Sequence, residues 1–209
     1  MTDLPALISA FATLFVIIDP IGLMPIFVAL TKGATPRQRR TIAIRSLGIA
    51  ALLLTLFGLL GEAVLGFLGI SMAAFRIAGG LLLFLTALDM LFERRTQRRK
   101  DQSETALDPA DDPSVFPLST PLIAGPGAIA AMILLTGQAD GALGLAAVLG
   151  VMLAVLAVVM IFFLAADALE RLLRETGINV LTRLLGMLLA ALAVQFVLDG
   201  LADFGVIAG

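Results

Sequence analysis

Apolar positions along the chain gather into six long runs, roughly Leu4–Leu30, Pro36–Phe67, Ser71–Phe92, Val115–Thr136, Ala142–Ala166 and Asn179–Leu201. Each reaches or exceeds the ~20 residues a helix needs to cross the hydrocarbon of a bilayer, so the pattern predicts six transmembrane helices. Thr35-Pro36 reads as a cap residue followed by proline at the first helical position, a start signal for the second run. One long hydrophilic stretch, residues 93–114 ("ERRTQRRKDQSETALDPADDPS"), separates the third run from the fourth and predicts a flexible linker. The expected organisation is a single polytopic domain over residues 1–209: three helices in 4–92, the linker in 93–114, and three helices in 115–209. The first run is not clean. "FVIIDPIGLMPIF" sets Asp19, Pro20, Gly22 and Pro25 inside it, although a buried acid is costly in lipid and proline withdraws a backbone donor.

Composition supports the membrane reading. Apolar residues make up 60% of the chain and charged residues 14%, against about half and a quarter in soluble domains. The mean hydropathy is +1.06. With no cysteine there are no disulfides, no thiolate catalysis and no iron–sulfur or structural zinc sites. With no histidine the zinc-protease helix motif and the usual near-neutral proton relay are missing too. An intramembrane hydrolase needs a nucleophile with a base, two facing aspartates or a metal, and only Asp19 is plainly central. The expectation is a protein that is not an enzyme, with no metal and no cofactor. The start, "MTDLPAL", has no basic n-region, so the first run is expected to be a retained span.

Charge placement predicts orientation. Lys32, Arg37, Arg39, Arg40 and Arg45 follow the first run, Arg94, Arg95, Arg98, Arg99 and Lys100 the third, and Arg171 and Arg174 the fifth, while the alternate loops carry no basic residue. By the positive-inside rule these three segments face the cytoplasm and both termini lie outside it. The basic clusters read as orientation signals and contacts to anionic lipid, not as nucleic-acid sites.

The chain also aligns with itself. Pro20 falls on Pro126 at an offset of 106 residues, and Arg76 on Arg183 at 107, with Gly79 meeting Gly186. Three spans per half is an odd number, so the halves would cross in opposite senses, an inverted-topology repeat of the kind many secondary transporters use. The breaks then fall in the first and fourth helices. Asp19-Pro20 is a helix start signal, aspartate as N-cap and proline at the first position, and Gly125-Pro126 has the same form. Two half-helices beginning near the midplane would each present unpaired amides and a partial positive charge. The predicted site is a zwitterion cradle built from Asp19, Pro20, Ile21 and Gly22 at one break and Gly125, Pro126, Gly127, Ala128 and Ile129 at the other. The amides of Gly127, Ala128 and Ile129 would take a carboxylate. Asp19 would hold an ammonium group, a cation or a coupling proton; the plainer alternatives are that Asp19 only caps its own half-helix and that Gly125-Pro126-Gly127 is only a tightly packed kink.

"DPIGLMPIF", "AFRIAGGLLLFLTALDML" and "PLSTPLIAGPGAI" resemble the three signature regions of the MarC family of bacterial inner-membrane proteins, and the resemblance runs over essentially the whole chain in order. It implies an all-α membrane protein of six helices in two inverted halves, with discontinuous first and fourth helices. Through the SnatA-like branch it implies transport of small neutral amino acids of the glycine and alanine type. Asp19, Pro20 and Gly22 match the first break; Gly125, Pro126 and Gly127 match the second.

Other polar residues have plainer expected roles. Arg76 would snorkel or pair with Glu62, and Arg183 would pair with Asp167, Glu170 or Glu175; a gating role is the sharper alternative for both. Asp89 would pair with Arg94 or Arg95, Asp199 and Asp203 would be solvated, Gln195 would bond between helices, and Gly79-Gly80 would permit close helix approach. The predicted function is a secondary transporter of small neutral amino acids working by alternating access on a proton or ion gradient, since no Walker-type loop is present for direct use of ATP. The alternatives are an exporter or channel for other small metabolites or drugs, and a membrane protein that transports nothing.

Overall fold

A computed structural model describes residues 4–94 and 112–206. Eight helical segments occur among them: α1 (Leu4–Ile18), α2 (Pro20–Leu30), α3 (Pro36–Phe67), α4 (Met72–Leu91), α5 (Ser114–Ile123), α6 (Pro126–Gly137), α7 (Gly141–Leu164) and α8 (Ala166–Asp203). Together they give five helices long and apolar enough to cross a membrane, and a sixth span when the bent pair α5–α6 is counted as one. The chain is an all-α protein of six membrane-spanning units. Most of the predicted linker, residues 95–111, lies outside the described residues, and with it Arg95, one of the partners expected for Asp89.

Local rules set the helix ends. Thr35 and Gln38 close a capping box at the start of α3, with Gln38 N–H donating to Thr35 Oγ1 and Thr35 N–H to Gln38 Oε1. The far end closes as a Schellman motif: Gly69, at φ 72°, donates to the Gly66 carbonyl and Ile70 to that of Leu65. At 32 residues α3 runs about 48 Å, well beyond ~30 Å of hydrocarbon, so its basic first turns extend past the apolar layer.

The sixth span begins earlier than the pattern suggests. α8 starts at Ala166, breaks at Arg174 (φ 53°, ψ 172°), and continues as the apolar stretch Thr176–Asp203. Its first two turns, expected as loop, are helical because "ADALERLL" holds good helix formers and no proline.

α4 packs chiefly against α8. The two run antiparallel, since Arg76 near the start of α4 meets Asp203 at the end of α8 (2.6 Å) and Arg183 meets Glu93 just past α4 (2.8 Å). Small residues let them approach: a methyl group on Gly80 would fall 2.8 Å from the Ala193 carbonyl oxygen, and one on Gly186 would fall 2.9 Å from Met90 Cβ. These pairs correct four expectations. Arg76 holds Asp203, not Glu62, so Asp203 is not simply solvated, and Arg183 holds Glu93. Asp167 instead pairs with Arg39 (2.6 Å). Gln195 bonds Asp199 one turn along its own helix (2.7 Å), not a neighbouring helix. The partners of Arg76 and Arg183 lie far away in sequence and are brought close by the antiparallel helices, whereas Gln195 finds its partner one turn away on its own face.

The first span occupies the centre. In its most apolar window 61% of residues are buried, against 22–33% in the four spans α3, α4, α7 and Thr176–Asp203. Residues 130–135 of α6 are likewise buried. The two interrupted spans therefore form the core, and the uninterrupted ones surround them with their leucines and phenylalanines turned outward.

Candidate functional site

The first break is a single residue. Asp19 N–H closes the last turn of α1 on the Phe15 carbonyl (2.9 Å), and the Asp19 carbonyl receives Leu23 N–H as the first bond of α2 (3.1 Å). Asp19 is thus both the residue that ends one helix and the N-cap of the next. Ending a helix this way calls for the left-handed region, which Asp19 adopts (φ 58°, ψ 67°), and capping calls for a short side chain with an oxygen. Glycine meets the first need only, and serine and threonine the second only. Aspartate and asparagine meet both. Its Oδ1 accepts from Gly22 N–H at 3.0 Å, and the residue is 1% exposed. The two pieces count as one span, Leu4–Leu30, without the bend of more than 40° found at the second break. Pro25, farther along α2, withholds the N–H that would reach the Ile21 carbonyl.

The second break is sharper. α5 winds in wide turns, with Ala124 N–H donating to the Ser119 carbonyl five residues back (2.8 Å). Phe116 and Thr120, each preceding a proline, are extended within it, as steric contact with the following ring favours. α6 then leaves at 58° to α5. Gly125 caps it in an extended conformation with no side-chain bond, and a Cβ there would lie 2.5 Å from the Pro121 carbonyl oxygen. Glycine is required here by that carbonyl, not by its dihedral angles.

The two breaks are neighbours. A Cβ on Gly127 would lie 3.4 Å from Ile17 Cγ2, two residues before Asp19, and 3.2 Å from Leu83 Cδ2. The second break therefore abuts the end of α1, with Pro20, Ile21 and Ala128 buried and Gly22, Gly125, Gly127 and Ile129 half-buried. Two members of the expected cradle do not serve as predicted. Ile129 N–H is already donated to the Gly125 carbonyl (3.0 Å), as the helix requires of its fourth residue, so it is not available to a guest. Pro126 is exposed and shapes the break from outside. Helix geometry leaves no intrahelical carbonyl for Gly127 and Ala128 at the second break, and at the first leaves only Ile21 so placed, because Asp19 takes Gly22. The second break is the stronger donor.

Several residues near the site went unread in the sequence. Ser9 and Thr13 stand four residues apart on one face of α1, two polar positions in an apolar run, and Ile17 next on that face lies against Gly127. Phe27 and Phe163, both buried, stack at 4.3 Å with their planes 4° apart, on the side of Asp19 away from Ser9. No group of acidic residues among those described could hold a metal ion.

Residues 4–204 match the model of the MarC family of integral membrane proteins. A UPF0056 membrane protein of Archaeoglobus fulgidus is 41% identical over 93% of this chain and 92% of the relative. One from Methanocaldococcus jannaschii is 35% identical over 95% and 97%. The UPF0056 inner membrane protein YhgN of Escherichia coli is 36% identical over 93% and 95%. No solved structure matches the chain.

Proposed function

The chain belongs to the MarC family of integral membrane proteins, and on that premise we propose that it is a secondary transporter of small neutral amino acids, of glycine or alanine size. The observation that carries the reading is the adjacency of two helix breaks at the core of the bundle: an acid with 1% exposure at one, and at the other a helix start without a side-chain cap. Buried ionisable groups and irregular backbone at membrane depth are costly, and transporters place them where cargo and coupling ions bind. The guest's carboxylate would lie on the Gly127 and Ala128 amides and its ammonium group toward Asp19.

The carrier would work by alternating access, with the halves 4–92 and 115–209 moving about the breaks as inverted repeats. Arg76 and Arg183 sit at repeat-related positions, and each holds an acid at the end of the opposite helix, Asp203 and Glu93, an exchange that supports that symmetry. A proton or cation gradient is the proposed drive. One charge crossing ~100 mV yields ~2.3 kcal/mol, a concentration ratio of roughly fifty.

Reconstitution into liposomes tests this. Labelled glycine and alanine should show saturable uptake and counterflow, faster with an imposed pH or ion gradient. Linear, non-saturable flux would indicate a channel. Absence of flux for every neutral amino acid, together with no ligand-dependent thermal shift, would indicate a membrane protein that does not transport them.

A further inference from the structure

A cavity of about 230 Å³ opens at the end of the bundle where α1 begins and α8 ends. Its polar walls are Ser9 and Thr13 of α1, Gln138 just past α6, and Gln195 and Asp199 of α8. Five hydrogen-bonding side chains around one hollow are far more than a lipid-facing seam would carry. The volume would hold roughly seven waters, smaller than the pockets that take drug-sized molecules.

We propose that this cavity is a first binding site for the cargo, with Asp199, oriented by Gln195, holding its ammonium group before it moves on to the helix breaks. This rests on the transport reading above and adds a site to it. Among the described residues Asp199 is the single charged one lining the hollow, and no arginine or lysine lines it, so the site favours a positive group. Gln195 Nε2 donates to Asp199 Oδ1 at 2.7 Å and fixes the carboxylate. The hydroxyls of Ser9 and Thr13 and the amide of Gln138 supply neutral donors for the carboxylate end of a zwitterion. The next turn of α1 leads from the hollow toward the breaks. Thr13 is buried, and one turn farther along the same face of α1 Ile17 abuts Gly127 of the second break.

The absence of cysteine gives a clean experiment on the full chain in lipid vesicles. Ser9→Cys introduces the only thiol, to be probed with a membrane-impermeant maleimide while alanine uptake is measured on the same preparation. The expected result is labelling from one face only, slowed about tenfold by alanine at ten times its dissociation constant. Adding Asp199→Asn, which keeps the shape and the Gln195 contact, should leave labelling intact and abolish the protection. Asp199→Asn alone should raise the half-saturating alanine concentration at least tenfold. Thr13→Cys provides a second thiol position should Ser9→Cys fold poorly. Failure of the reagent to reach either thiol, or labelling unaffected by alanine in vesicles that do carry alanine, overturns this site and leaves the transport reading standing. Vesicles that carry no neutral amino acid overturn the transport reading and this site with it.

Discussion

At Asp19 the chain meets two demands with one residue, and that makes its charge separable from its shape. Asparagine tolerates the left-handed region and caps as well as aspartate does, so Asp19→Asn should fold and keep the bond to Gly22 N–H. Alanine satisfies neither demand and should cost about 2 kcal/mol, half from the cap and half from the backbone conformation. If Asp19 carries the coupling charge, Asp19→Asn uptake loses its pH dependence at near wild-type thermal stability; unchanged pH-coupled uptake removes Asp19 from the coupling step. Gly125 is a steric counterpart. Gly125→Ala drives a methyl group into the Pro121 carbonyl, and displacement of α6 should abolish uptake even where the protein still inserts. Both breaks were legible in the sequence because capping and proline rules act over three or four residues. That Asp19 sits in the left-handed region was not, because it depends on α1 continuing up to Ile18.

Between elements, what holds is pairing across long sequence distances, and there the sequence was a poor guide. Arg76 and Arg183 were recognisable as repeat-related, but their partners follow from the antiparallel contact of α4 with α8, which no local rule supplies. The two pairs should differ in worth. The Arg76 side chain is 13% exposed and that of Arg183 53%, so Arg76→Ala should cost about 2 kcal/mol or more and Arg183→Ala at most about 1. Double-mutant cycles with Asp203→Ala and Glu93→Ala, read by reversible unfolding in detergent micelles, would measure the coupling of each pair. A pH effect belongs at the same scale. The Ser114 hydroxyl (2.6 Å) and amide (3.0 Å) donate to Asp112, and together with Arg45 they hold its carboxyl below the ordinary 3.8, against the opposing effect of burial. A lowered folded-state value means the charged carboxylate favours the folded arrangement at pH above 3.8, and that contribution is lost as pH falls through the folded value. Wild type should therefore be more heat-stable than Asp112→Ala at pH 6, with the gap closing below about pH 4.

Taken whole, the bundle carries a hollow on each side of its two breaks, one lined by Thr13 and Asp199 and one by Arg39, Phe163 and Asp167. Toward the chain ends lies the polar cavity that reaches Thr13. Toward the basic loops the path from Asp19 meets the stacked rings of Phe27 and Phe163, and beyond them the Arg39–Asp167 pair. Phe27 stands eight residues past Asp19, about 12 Å along α2. Six spans and their order were legible because hydrophobic runs report membrane crossing directly, whereas this aromatic stack was not, because stacked phenylalanines look in sequence like any others facing lipid. A carrier must never be open at both ends, so one barrier has to hold while the other yields. Among lipid-surrounded helices such a barrier rests on close contact, not on hydrophobic exclusion, because lipid tails are as apolar as the rings. Phe163→Ala removes half of the stack and should let guest and coupling ion pass independently. Downhill glycine efflux would rise several-fold, and the accumulation supported by an imposed gradient would collapse. Phe163→Leu refills most of the volume and should retain most of the coupling. Paired efflux and gradient-driven uptake measurements on the two variants decide the matter: an unchanged accumulation ratio in Phe163→Ala would place the barrier elsewhere, leaving the Arg39–Asp167 pair to be removed next by Arg39→Gln.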